Sequence, residues 1–249
     1  MKPNLLKVEN LVKNFGGLCV TDHVNLEIQI GQTHALIGPN GAGKTTLINQ
    51  ISGEISSDAG SVYMLEDSIT NWSVEKRAQK GIGRSFQINS IIQELTTLEN
   101  ILLAVQIAQG HSFRFWKAAT AHLNIVERSE SILELLGLMP YRDKQAGNLS
   151  YGQQRQIELA MAITSEPKVL LLDEPMAGLG ASETHQMIEI LAKLKKNYGI
   201  LLVEHDMHAV FSLADQVSVL VYGQIILTDS PENVRNSSAV RSAYLGDEV

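Results

Sequence analysis

The nine residues Gly38-Pro39-Asn40-Gly41-Ala42-Gly43-Lys44-Thr45-Thr46 have the composition and spacing of a phosphate cradle. Gly38, Gly43, Lys44 and Thr45 fit the pattern Gly, four residues, Gly-Lys-Ser/Thr. Glycines let such a loop curl until successive backbone N–H groups point inward at phosphate oxygens. A helix N-terminus would add partial positive charge there, Lys44 a full one, and the Thr45 hydroxyl suits Mg²⁺. A Gly-rich turn with a solvated lysine is the bland alternative, and the flanking sequence argues against it. Ala35-Leu36-Ile37 reads as a buried strand before the loop, and Thr45 to Ile51 as the start of a helix after it.

Three further stretches carry chemistry. Val169-Leu170-Leu171-Leu172 is apolar on both faces, as in a central parallel strand, and ends in Asp173 and Glu174. Carboxylates at the C-terminal end of such a strand face the crevice where ligands bind. Asp173 suits a magnesium contact, and Glu174 suits a base or positioner for an attacking water. Gly199 to Val203 is a second buried strand, ending in the polar pair Glu204-His205. Taken alone, His205 reads as structural rather than catalytic. Leu149-Ser150-Tyr151-Gly152-Gln153 opens a helix, with Ser150 and Gln153 spaced as a capping box. A capped N-terminus with a glycine is compatible with an anion site.

The elements that must position these residues are legible in outline. Leu5 to Leu11 and Val24 to Ile28 alternate as half-buried strands, joined by a turn at Gly16-Gly17. Phe15 beside that turn is either a core aromatic or a flat ring that stacks on a base. Ser61 to Leu65 reads as a strand, and Gly81 to Gln87 as a loop that says little by itself. From Thr96 the pattern turns helical. Thr96 and Glu99 form a capping box, and Leu98, Ile101, Leu102, Val105 and Ala108 follow at helix spacing. A second helix runs through Val126, Ile132, Leu133 and Leu136. Between the two, Phe113, Phe115 and Trp116 alternate with Arg114 and Lys117, which suits either packing between helices or contact with a partner or lipid headgroups. Gln216 to Leu227 reads as a hairpin turning at Tyr222-Gly223. There is no internal repeat and no low-complexity segment.

Composition bounds the function. The 249 residues are 44% hydrophobic and 19% charged, as in a globular protein with a sizeable core. A net charge of −7 argues against broad nucleic-acid binding. The single Cys19 can form no internal disulfide. No apolar run reaches the length of a membrane span, and Met1-Lys2-Pro3-Asn4 lacks the apolar core of a signal peptide, so any role at a membrane is expected to run through a partner.

Taken together and in order, these elements resemble the ATPase subunit of an ABC (ATP-binding cassette) transporter. The resemblance implies an α/β P-loop NTPase fold with a mainly parallel core sheet, an N-terminal antiparallel β region and an inserted helical subdomain. The expected division is a core of 1–87 and 163–228, a helical signature subdomain at 88–162 and a tail at 229–249. It implies ATP and Mg²⁺ as ligands. Phe15 falls where the family stacks adenine. Gly38, Pro39, Asn40, Gly41, Ala42, Gly43, Lys44, Thr45 and Thr46 match its phosphate loop. Gln87 matches the glutamine that touches the magnesium–water shell and faces the membrane subunit, Asp173 and Thr45 the magnesium contacts, Glu174 the catalytic carboxylate, and His205 the γ-phosphate contact. Ser150, Gly152 and Gln153 belong to the signature that closes a partner's ATP site in a head-to-tail pair. The implied partners are transmembrane permease subunits and a second ATPase, a paralogue or the chain itself, at the cytoplasmic face of the inner membrane. No nucleic-acid partner is implied.

Two features depart from the common pattern. The signature has Tyr151 where Gly is usual, and the short interface loop Ala177-Gly178-Leu179-Gly180 ends in Gly where Asp or Asn is usual. Tyr151-Gly152-Gln153-Gln154-Arg155, Gly81 to Gln87, Glu204-His205-Asp206-Met207 and Ala243-Tyr244-Leu245-Gly246 are similar to the ATPases of importers of branched-chain amino acids, amides or urea. The alternatives fit less well. An exporter of the lipopolysaccharide type is disfavoured by the signature, a non-transport ABC ATPase by the absence of coiled-coil insertions. A GTPase or kinase would leave Ser150 and His205 without roles.

Overall fold

The computed structural model describes residues 3–84, 91–109, 119–238, 240 and 242. Gln87, the cluster from Phe113 to Lys117, and Ala243 to Gly246 lie outside them. Strands β1 (Asn4–Phe15) and β2 (Leu18–Gln29) form an antiparallel hairpin closed at Gly16, whose φ of 60° no branched residue would adopt comfortably. β3 (Thr33–Ile37) leads through the phosphate loop into α1 (Lys44–Ser52). β4 (Ala59–Met64) and β5 (Asp67–Ser68) complete a four-stranded antiparallel sheet in the order β2-β1-β4-β5. Then come α2 (Val74–Lys80), β6 (Ile82–Arg84) and the long helices α3 (Thr97–Ala108), α4 (Ala119–Leu135) and α5 (Tyr151–Ile163). The chain continues through β7 (Val169–Asp173), α6 (Ala181–Leu194), β8 (Gly199–Val203), α7 (Met207–Leu213), the hairpin β9 (Gln216–Val221) and β10 (Gln224–Asp229), and α8 (Pro231–Asn236).

The second sheet runs β10-β9-β3-β8-β7-β6, and every pairing in it is parallel except that of β10 with β9. All residues of β3, β7 and β8 are buried, which is why they read as unbroken apolar runs. Alternation then divides the core. Leu170, Leu172, Ile200 and Leu202 pack on one side with Leu98, Ile101, Leu133, Ile157 and Leu191 of the long helices. Leu36, Leu171, Leu201 and Val203 pack on the other with Leu47, Ile48 and Ile51 of α1 and with Leu6, Val8, Leu26 and Val62 of the first sheet. Because the strands are parallel, the ends of β3, β7 and β8 all deliver their next residues to one edge of the sheet.

Two expectations need correction. The segment from Gly81 is not all loop, since Ile82–Arg84 is the edge strand β6 beside β7. Three residues are too few to show a periodicity. A side chain at Gly83 would crowd Pro167. Phe15 is not a core aromatic; it is 49% exposed, and Lys13 Nζ lies 5.6 Å from its ring centre. Among the described residues no helix is long and apolar enough to cross a membrane.

His34 ties the two sheets together. Its Nδ1 lies 2.8 Å from the Glu27 carbonyl oxygen and its Nε2 2.8 Å from Ser218 Oγ. Burial pushes this imidazole below its ordinary range, so the fold holds it neutral. The unfolded chain takes up a proton there below about pH 6.5 that the folded chain refuses. Stability should therefore fall as pH drops through that value and recover as it rises. One proton wholly refused amounts to at most ~1.4 kcal/mol at pH 5.5. Urea midpoints at pH 5.5 and 7.5 test this: the drop should shrink in His34→Gln, and an equal drop in that variant would discount His34.

Candidate functional site

Ile37 ends β3 and the chain turns at once. A Cβ at Gly38 would overlap the Leu220 carbonyl oxygen, and one at Gly43, whose φ is 107°, would overlap that of Val20. Both positions therefore exclude any larger residue. Ala42 N–H closes a turn on Pro39 O at 3.2 Å, and Gly223 N–H braces the loop from outside by donating to Ala42 O at 3.0 Å. Helix α1 starts with no side-chain cap and no acidic residue in its first turn, leaving its first N–H groups to an anion. Lys44 folds back over the loop, and its Nζ donates to Gly38 O at 2.7 Å and Pro39 O at 3.0 Å. Burial lowers the pKa of this lysine, while Glu174 and Asp173 oppose that shift. Asn40, Gly41 and Thr45 are exposed, and Pro39 and Thr46 half-buried.

Asp173 ends β7 and is buried. Desolvation raises its pKa, the Arg84 charge pulls it back, and Thr45 hydrogen-bonds the carboxylate. Glu174 follows in a left-handed conformation, φ 49°, a strained setting for a side chain of its kind. Its N–H donates to Val203 O at 2.9 Å, and its carboxylate lies 3.8 Å from His205 Nδ1. Glu204, half of the polar pair after β8, has no role that the sequence alone assigns. It is 1% exposed, and its carboxylate accepts from Met176 N at 2.9 Å and His205 N at 3.2 Å. Burial raises its pKa, and those backbone donors hold it down. It clamps the turn after Glu174 to the strand end that carries His205. A carboxylate directly after five wholly apolar residues was the available signal.

The signature forms a second constellation. Ser150 caps α5, with Gln153 N donating to Ser150 Oγ at 3.3 Å and Ser150 N to Gln153 Oε1 at 3.0 Å. Ser150 Oγ and Gly152 N both donate to Glu183 Oε1, at 2.9 and 3.3 Å, and Gly180 N donates to Glu183 Oε2 at 3.3 Å. The Tyr151 ring lies under Arg155, 5.0 Å away, and its edge abuts Gly178, whose φ is 79°. The structure thus gathers Lys44, Thr45, Asp173, Glu174 and His205 in one place. Ser150, Gly152 and Gln153 are gathered with the interface loop in another.

A family model for the ABC transporter matches residues 21–177. The chain is 36% identical to the high-affinity branched-chain amino acid transport ATP-binding protein LivG of Escherichia coli K12, covering 99% of this chain and all of that one. It is 35% identical to the corresponding protein BraF of Pseudomonas aeruginosa at the same coverage. The chain belongs to the ABC transporter family. Its fold superposes on the ADP conformation of MJ1267, an ATP-binding cassette of an ABC transporter, with a TM-score of 0.87, 34% identity and coverage of 98% and 99% of the two chains. It is an ABC ATPase subunit with that family's α/β fold.

Within the cassette, the two departures from the common pattern meet. Tyr151 fills the space above Gly178, and the backbone N–H of Gly180, which has no side chain, is taken up by Glu183. The β1–β2 hairpin that exposes Phe15 also lays Val20 against Gly43 of the phosphate loop.

Proposed function

We propose that this cassette binds ATP with Mg²⁺ on the loop Gly38–Thr46 and hydrolyses it to energise an importer of branched-chain amino acids or related small polar solutes. The observation that carries the reading is the convergence of Lys44, the Thr45–Asp173 contact and the Glu174–His205 pair at the C-terminal ends of β3, β7 and β8. Hard oxygen donors from Thr45 and Asp173 fit Mg²⁺, which would neutralise charge on the phosphates. Phosphate and water oxygens would complete its shell. Lys44 and the first amides of α1 hold the phosphates. Glu174 orients and deprotonates the attacking water, and His205 contacts the γ-phosphate. Phe15, exposed on the hairpin, stacks on adenine. Gln87 relays between the metal shell and the permease.

Ser150, Gly152 and Gln153 serve the other cassette of a head-to-tail pair, closing its site against water. Residues 1–87 and 163–228 act as the ATP-binding core, 88–162 as the lever toward the permease and 229–249 as a tail. The assembly sits at the cytoplasmic face of the membrane. Likeness to LivG and BraF over 99% of the chain supports the solute class.

Purification of the assembled transporter tests the pairing and the solute together. A second, different cassette should co-purify, since importers of this kind usually carry two. In proteoliposomes the ATPase rate should rise with a branched-chain amino acid and its solute-binding protein. Two copies of this chain with no second cassette would refute the pairing with a paralogue. A rate blind to the amino acid, but not to an amide or urea, would reassign the solute.

A further inference from the structure

The groups assigned above to a partner's ATP site already hold an anion in the single chain. One oxygen of Glu183, Oε1, accepts both from Ser150 Oγ at 2.9 Å and from Gly152 N at 3.3 Å, as a phosphate oxygen would. The glycine is needed for this contact, because a Cβ at Gly152 would stand 2.6 Å from the Glu183 carboxyl carbon. The other oxygen accepts from Gly180 N at 3.3 Å. Glu183 lies in the first turn of α6, whose N-cap is Gly180, so one carboxylate joins the signature to the interface loop. The hydroxyl of Ser150 and then the amide of Gly180 hold it below the usual carboxylate range, which keeps it ionised.

We propose that Glu183 is a positioning residue of the signature, a resident anion that presets Ser150 and Gly152 and is displaced from them by the partner's γ-phosphate as the pair closes. This rests on the head-to-tail reading of the signature. Two anions cannot share one hydroxyl and one amide, so closure requires the carboxylate to leave. Its departure also frees the N–H of Gly180. From there the chain runs back through Gly178, against Tyr151, to Ala177, whose N–H donates to Glu174 O at 3.1 Å. Nucleotide arriving in the partner's site is thereby relayed along the main chain to the turn that carries this chain's own Glu174. The interface loop usually ends in Asp or Asn; here it ends in Gly180, which has no side chain and whose N–H is held by Glu183 at 3.3 Å.

Glu183→Gln keeps an acceptor oxygen and the shape but removes the charge, and charge-assisted hydrogen bonds are roughly twice as strong as neutral ones. Two measurements test the proposal. In chains that also carry Glu174→Gln to slow hydrolysis, sedimentation velocity gives the ATP concentration for half-maximal pairing. Glu183→Gln should lower it about 3- to 10-fold, while ATP affinity at the phosphate loop of the monomer stays the same. An unchanged or higher concentration would overturn the proposal and leave Glu183 a brace. Independently of pairing, the ¹⁵N resonance of Gly152 should shift on Glu183→Gln, and should then respond to less inorganic phosphate than with Glu183 present. A Gly152 resonance indifferent to the substitution would also overturn it. If no chain pairs with itself yet Gly152 gains its phosphate response, self-pairing fails and the resident anion stands.

Discussion

Glu174→Gln should slow ATP hydrolysis by about 10²- to 10⁴-fold, the usual contribution of a general base. The substitution preserves size and hydrogen-bonding capacity and removes only charge and basicity. Its surroundings should persist. The backbone of residue 174 is held by its N–H on Val203 O at 2.9 Å, and the turn beyond it by Met176 N on the buried Glu204. ATP binding should survive, because Lys44, Thr45 and the amides of α1 are untouched. One negative charge fewer beside an anionic γ-phosphate should favour the closed pair. ATP should therefore drive the variant into a long-lived dimer, with itself or with a paralogous cassette, and ADP should not. Turnover at the unsubstituted rate would remove Glu174 from the catalytic role. A dimer formed equally with ADP would remove the γ-phosphate from the closing step.

What the sequence made legible is what depends on near neighbours. The phosphate loop is written in glycine spacing, and two of its glycines are forced by carbonyl oxygens of Val20 and Leu220 that sequence does not place beside it. The apolar run into Asp173 announces a strand buried on both faces, and β7 pairs on both sides. The capping boxes at Thr96 and Ser150 require only three residues of foresight. What stayed hidden depends on partners far along the chain. Glu204 matters through Met176, 28 residues away, and Glu183 through Ser150, 33 residues away. Glu183 reads in sequence as one more surface acid, and the apolar run before Glu204 marks its burial but not its partner. Phe15 failed as a core residue because the hairpin tip stands in solvent, and nothing in its own few residues records that. β6 is held by β7 and by packing against Pro167, not by any pattern of its own.

Lys44→Ala should abolish tight ATP binding. Lys44 is 8% exposed and its ammonium aims into the loop, where its donors now rest on Gly38 O and Pro39 O at 2.7 and 3.0 Å. Bound phosphate would offer it anionic acceptors instead of neutral carbonyls, and the gain would be largest in so desolvated a place. Hydrogen bonds to charged groups contribute about 1.5–3 kcal/mol each, and two of them correspond to a loss of ~10²- to 10⁴-fold in affinity. Lys44→Arg should not rescue binding. It keeps the charge, but a planar guanidinium cannot reproduce a compact ammonium inside a loop this tight. Calorimetric titration with ATP checks both variants, and an unchanged far-UV spectrum and melting temperature would show that the fold is intact. Near-normal affinity in a folded Lys44→Ala chain would displace the nucleotide from this loop, and with it the roles given to Thr45, Asp173 and Glu174.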